Sequence, residues 1–127
     1  MIIKIDFQSD EALYMQLRNQ IIMGIATSSI QEGDVLPSVR QLAGDIGINM
    51  HTVNKAYSVL RQEGFVTIDR RKGAVVSLNV DKLKALEEMK KNLRVVLARG
   101  CCKNITSKEV HQLVDEIFAE YEKQEEQ

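Results

Sequence analysis

Two cysteines are all that the 127-residue chain contains, and they are neighbours, Cys101 and Cys102. Adjacent cysteines make a poor intrachain disulfide, and without further thiols they cannot complete a four-ligand zinc site. The two histidines, His51 and His111, stand far apart and lack carboxylate or thiol company, so no metal and no cofactor is expected. Proline occurs once, at Pro37, inside "SSIQEGDVLP". No apolar run approaches the length that spans a bilayer. The start, "MIIKIDFQSD", lacks the basic residues, long apolar stretch and small-residue site of a signal peptide. The expectation is a cytoplasmic protein with no membrane partner. A nucleophile–base set and a phosphate-cradling loop are also missing, so an enzyme is not expected. There is no internal repeat and no low-complexity linker.

What is present is a soluble globular composition, 44% hydrophobic and 28% charged. The length allows one ordinary domain, or a small one with an appendage. The net charge of -1 excludes a nonspecific polycation. It also hides a gradient: two bases face five acids in residues 1–35, six face three in 36–76, and nine face ten thereafter. A basic block in a neutral protein suits a compact anionic partner.

Apolar residues at helical spacing predict a first helix over about Glu11 to Ser28, with Leu13, Leu17, Ile21, Ile22 and Ile25 on its buried face and Ser9 or Asp10 as cap. Ser38 and Gln41 form a capping box before a short helix, Val39 to Ile46, which Gly47 ends. Asn49 caps a third helix, about Met50 to Glu63, that Gly64 stops. Then the period changes. Phe65, Val66 and Ile68, followed by Val75, Val76 and Leu78, predict a hairpin turning through "DRRKG". A helix from about Asp81 to Arg99 follows, closed by Gly100, which leaves Cys101 and Cys102 half-buried at a helix–helix junction. Thr106 and Glu109 form a second capping box that opens the last helix. The "EKQEEQ" end reads as polar and frayed.

This order defines the expected fold class: mainly α with a small β-hairpin wing. It is a winged helix-turn-helix over residues 1–78 and a C-terminal two-helix dimerisation element over 79–127. The internal spacing agrees. With Ala43 counted as position five, Gly47 falls at nine and Val53 at fifteen. Ala43 lets the helices approach, Gly47 makes the turn and Val53 fills the angle between them. In such units the second helix enters the DNA major groove. The stripe Val53, Ala56, Tyr57 and Leu60 faces the core, with Tyr57 keeping a wet hydroxyl. Opposite it lie His51, Lys55 and Gln62, with Ser58 near and Thr52 and Asn54 at the flanks. Lys55 suits phosphate or guanine, and Asn54 or Gln62 an adenine edge. Arg40 lies where phosphates pass. Arg70, Arg71 and Lys72 at the hairpin tip suit the backbone or the minor groove.

The stretch "GDVLPSVRQLAGDIGINMHTVNKAYSVLRQEGFVTIDRRKGAVV" resembles the DNA-binding domain of GntR-family transcriptional regulators over about residues 9–77. "LPSVRQLA", "TVNKAY" and the basic wing carry the likeness. It implies DNA contacts at Arg40, Asn49, Met50, His51, Thr52, Asn54 and the wing tip, Arg70, Arg71 and Lys72; Ser38 and Lys55 join them as candidate DNA-binding residues. Three positions depart from the family pattern. Asn54 stands where some members have arginine, Ser28 where a helix-ending glycine is usual, and Arg71 where the wing commonly has glycine.

About 50 residues remain, too few for the larger ligand-sensing domains of the family, and this short tail resembles the YtrA subfamily. The likeness implies dimerisation through it. Its two apolar stripes are Leu83, Leu86, Met89, Leu93, Val96 and Leu97, then Val110, Leu113, Val114, Ile117, Phe118 and Tyr121. Self-association would bury both and set two recognition helices on two half-sites. The expected function is a sequence-specific regulator, a repressor by default, bound as a homodimer to a palindromic double-stranded DNA operator. The alternative is a winged-helix protein-interaction module without DNA binding. No residue specifies a small-molecule effector.

Overall fold

The computed structural model describes residues 1–125, with side chains described through Glu122. Seven elements follow in order: α1 (Leu13–Ala26), α2 (Val39–Ile46), α3 (Met50–Gln62), β1 (Val66–Asp69), β2 (Gly73–Val76), α4 (Lys82–Cys102) and α5 (Ser107–Glu125). They divide into two compact units, Met1–Asn79 and Val80–Gln127. The first is a winged helix-turn-helix. Among the described residues no helix is long and apolar enough to cross a membrane.

The core of the first unit follows the apolar periodicity. Leu17 and Ile21 of α1 meet Leu42 and Ala43 of α2 and Val53, Ala56, Tyr57 and Leu60 of α3. Val66, Ala74 and Val76 close it from the hairpin. Fully burying such a side chain is worth about 1.5–3 kcal/mol each, so this one cluster fixes the angle between the three helices. The hairpin pairs Val66 with Val76 and Asp69 with Gly73, antiparallel. Ile68, grouped by sequence with the apolar strand residues, shares a face with buried Val66, yet it is exposed where the hairpin runs out towards its tip. Residues 33–36, expected as plain loop, run along β2: Leu36 N–H donates to the Ala74 carbonyl and Val76 N–H to that of Asp34, at 2.8 and 2.9 Å.

Several helix ends differ from expectation. α1 begins at Leu13 with Ala12 at the cap position and no side-chain cap. Ser9 instead turns its hydroxyl to the Glu11 N–H. The role of anchor passes to two glutamine amides one turn apart. Gln16 accepts from the Asp6 N–H and donates to the Asp6 carbonyl. Gln20 does the same for Lys4. Four helical residues rise about 6 Å, close to the two-residue repeat of an extended chain at about 6.7 Å. The two amides therefore hold an extended N-terminal arm as a neighbouring strand would. Ile3 and Ile5 of that arm pack on the core.

α4 does not close at Gly100. It continues through the cysteine pair to Cys102, with Lys103 at the cap position, and Asn104 takes the left-handed turn at φ 64°. The Gly100 carbonyl accepts from both Lys103 and Ile105 N–H groups, so the glycine lies within the last turn. Cys101 and Cys102 are consequently exposed on a helix and are not half-buried in a junction. Thr106 and Glu109 cap α5 reciprocally: the Glu109 N–H donates to Thr106 Oγ1 and the Thr106 N–H to the Glu109 carboxylate, at 3.2 and 3.0 Å. The Thr106 N–H and then the Thr106 hydroxyl, both donating to the Glu109 carboxylate, hold it below its ordinary range. α5 runs on to Glu125, through most of the stretch expected to fray, and the last two residues lie outside the described ones.

Candidate nucleic-acid interface

The helix-turn-helix is built by local hydrogen bonds that the sequence announces. Ser38 Oγ accepts the Gln41 N–H at 3.1 Å and starts α2. Gly47 ends it at φ 72° and ψ 38°, a left-handed backbone that a residue without Cβ adopts freely. Two residues later Asn49 Oδ1 accepts the His51 N–H at 2.7 Å and starts α3. The chain thus turns from one helix to the next within three residues, and Val53, fully buried, locks the angle.

This arrangement leaves the candidate contact residues on the surface. Ser38, Arg40, Asn49, Met50, His51, Asn54, Lys55, Arg70, Arg71 and Lys72 are exposed, and Thr52 is half-buried. Ser38, Asn54 and Lys72 come together in one groove of about 430 Å3 between the start of α2, the outer row of α3 and the wing. Arg40, the first turn of α3, and Arg70 and Arg71 lie outside that groove lining. Two polar residues complete it, Ser58, which the sequence set near the polar face, and Arg61, which it did not. The signal for Arg61 was available: Asn54, Ser58 and Arg61 stand at i, i+4 and i+7, one row of a helix. The row that lines this groove is Asn54–Ser58–Arg61, while His51, Lys55 and Gln62, the row placed opposite the core stripe, lie outside its lining.

Lys55 shows why the two rows differ. Its Nζ sits 4.1 Å from the centroid of the Tyr14 ring on α1, a cation–π contact. α1 packs along that side of α3, so Lys55 leans towards α1. Tyr57 also differs from expectation. Its hydroxyl is not wet: it donates to the Pro37 carbonyl at 2.8 Å. Burial pushes the phenol well above its ordinary range, so it remains a donor at neutral pH. The bond ties α3 to the residue just before Ser38 and so fixes the start of α2 against the middle of α3. Arg18 on α1 braces the far end, placing one guanidinium nitrogen on both Glu63 carboxylate oxygens at 2.8 and 3.0 Å.

At the wing tip, Asp69 Oδ1 accepts the N–H groups of Arg71 and Lys72 at 2.8 and 2.9 Å. Gly73 at φ 88° closes the turn. Three consecutive cations are thereby carried on a short, closed loop beside α3. Among the described residues no cluster of three or more His, Cys, Asp or Glu could hold a metal ion.

A short helix pair with an exposed second helix and a cationic hairpin define the class, a winged helix-turn-helix protein. The chain belongs to the gntR family of bacterial regulatory proteins, which it matches over residues 11–76, and within it to the YtrA-like group. It is 31% identical to the HTH-type transcriptional repressor YtrA of Bacillus subtilis strain 168, over 121 residues that cover 93% of each chain. Among solved structures it is similar to YtrA from Sulfolobus acidocaldarius, a GntR-family transcription factor. That likeness has 40% identity and a TM-score of 0.67, over 80% of this chain and 99% of that one. The crystal structure of a transcriptional antiterminator from Listeria monocytogenes EGD-e is similar at 27% identity and a TM-score of 0.85, covering 95% and 92%.

Proposed function

We propose that the protein is a sequence-specific, DNA-binding transcriptional repressor that acts as a homodimer on a palindromic operator. The observation that carries this reading is the joint exposure of the first turn of α3 and the three wing cations, on a frame whose core leaves that surface to solvent. Met50, His51, Thr52 and Asn54 are the candidate base readers in the major groove. Ser38, Arg40 and Asn49 suit backbone phosphates beside them, and Arg70, Arg71 and Lys72 suit the backbone or the minor groove. Lys55, held over Tyr14, fits a phosphate contact better than a base contact.

The tail supports the dimer. Residues 80–127 form the dimerisation region in this reading. None of α4 is buried, and its apolar residues remain open, from Leu83 at 76% exposure to Leu97 at 38%. On α5 Leu113, Val114, Ile117 and Phe118 are exposed as well, while Val110 and Tyr121 are half-buried. A monomer that leaves two such stripes wet forgoes the main favourable term of folding. A second copy covers them symmetrically and doubles the DNA contacts. Repression follows where the occupied operator overlaps a promoter, and the repressor YtrA of Bacillus subtilis is a relative of that description.

The test is selection of duplexes from a random pool, then anisotropy titrations of the full chain at several salt concentrations. A selected inverted repeat, bound with an affinity that falls steeply with salt, is the expected result. Equal binding to all duplexes would overturn the sequence-specific reading, and no binding at any salt would favour a protein-interaction module.

A further inference from the structure

The wing tip combines three cations with one carboxylate, and the carboxylate is on the wrong side of a simple electrostatic account. Asp69 is exposed at the end of β1, next in sequence to Arg70. An acidic side chain on a DNA-facing loop repels phosphate, so by charge alone it weakens binding. Its contacts supply the other half of the account. Asp69 Oδ1 accepts the N–H groups of both Arg71 and Lys72, at 2.8 and 2.9 Å, while Asp69 itself pairs with Gly73 across the hairpin. The single acceptor therefore holds the backbone of two of the three tip residues. Lys72, one of the two, lines the α3–wing groove together with Arg61. The two backbone N–H groups, Lys72 first, and then the Lys72 charge keep the carboxyl below its ordinary range, so it is an acceptor throughout the neutral region.

We propose that Asp69 is the positioning residue of the wing. It contacts no DNA and fixes the Arg71 and Lys72 backbone, so that the tip meets DNA as a preformed cationic loop. This rests on the DNA-binding reading above. The Asp69 carboxylate acts on binding in two ways of opposite sign. Removing the carboxylate relieves a repulsion and, by charge alone, tightens binding. Removing the positioning frees the tip and loosens binding.

The test compares Asp69→Ala, Asp69→Asn and Arg71→Ala with wild type, each as the full chain, on the selected operator. Asp69→Asn keeps an oxygen acceptor and loses the charge. The proposal expects Asp69→Ala to bind on the order of tenfold more weakly, the size of re-ordering about one backbone residue on binding. It expects Asp69→Asn to recover most of that loss. Amide exchange at Arg71 and Lys72, measured without DNA, should speed up in Asp69→Ala and stay slow in Asp69→Asn. Arg71→Ala should lower the salt slope by about one, while the Asp69 variants leave it unchanged. Asp69→Ala binding as tightly as wild type, or more tightly, overturns the proposal, as does Asp69→Asn binding as weakly as Asp69→Ala. A wild-type chain that binds no duplex overturns the DNA reading itself, and this inference with it.

Discussion

Gly47→Ala tests the turn on which the interface depends. Gly47 has φ 72°, and nothing lies within 4 Å of a Cβ built there. The substitution therefore meets no steric neighbour, and its cost is conformational. Placing an ordinary L-residue in the left-handed region costs about 1–2 kcal/mol. Alanine also restricts the unfolded chain, which returns about 0.4–1 kcal/mol. The net expectation is a loss of about 1 kcal/mol, which lowers Tm by about 4–8 °C in a domain of this size. Gly47→Asn is the control, because asparagine tolerates the left-handed region and should lose less. Urea unfolding followed by far-ultraviolet circular dichroism measures both, with the midpoint falling at constant slope. If Gly47→Ala matched wild type, or Gly47→Asn lost as much as alanine, the backbone account of this turn would be refuted.

Tyr57→Phe removes the hydroxyl that donates to the Pro37 carbonyl and should cost about 1 kcal/mol in urea unfolding; an unchanged midpoint would mean the bond adds nothing. Arg40→Ala, or Arg70→Ala with Arg71→Ala, should weaken operator binding and flatten its salt dependence while melting stays at the wild-type temperature. Normal binding by those variants would move the interface elsewhere. Leu93→Glu with Val96→Glu places charge on exposed apolar positions of α4 and should shift the sedimentation coefficient from dimer to monomer. Glu109 has a lowered folded pKa, so its stabilising contribution is present above the ordinary glutamate value and is lost as pH falls through the lowered one. Glu109→Gln should therefore make the acid limb of the tail's melting profile shallower, and an identical limb in the variant would contradict the capping assignment.

What the sequence made legible was local. The caps at Ser38 and Asn49, the Gly47 turn and the Thr106–Glu109 box sit where their side chains place them, because each acts within three residues of itself. The core stripe of α3 followed from spacing alone. What stayed hidden depended on a partner from another element. The Gln16 and Gln20 amides find backbone in an arm ten to sixteen residues away. Lys55 is drawn to Tyr14 on α1, and the Tyr57 hydroxyl finds a carbonyl twenty residues back. Gly100 read as a stop because glycine often ends helices, but the left-handed residue is Asn104. Within the candidate site, Arg61 was recoverable from the i, i+4, i+7 row through Asn54 and Ser58. The wing's role for Asp69 was not, since a carboxylate among cations reads as a neutralising charge until its acceptor bonds are seen. Ser28 adopts φ 63° where a glycine is usual in the family, so the turn is kept without the residue that makes it easy.

The central claim is that α3 and the wing read a two-fold operator. Hydroxyl-radical footprinting of the full chain on its selected duplex tests it most directly. The account predicts two protected half-sites related by a dyad, about one helical turn or a multiple apart, with the flanking protection lost when Arg70 and Arg71 become alanine. A single protected stretch without symmetry, or flanks that survive the loss of both arginines, would contradict it.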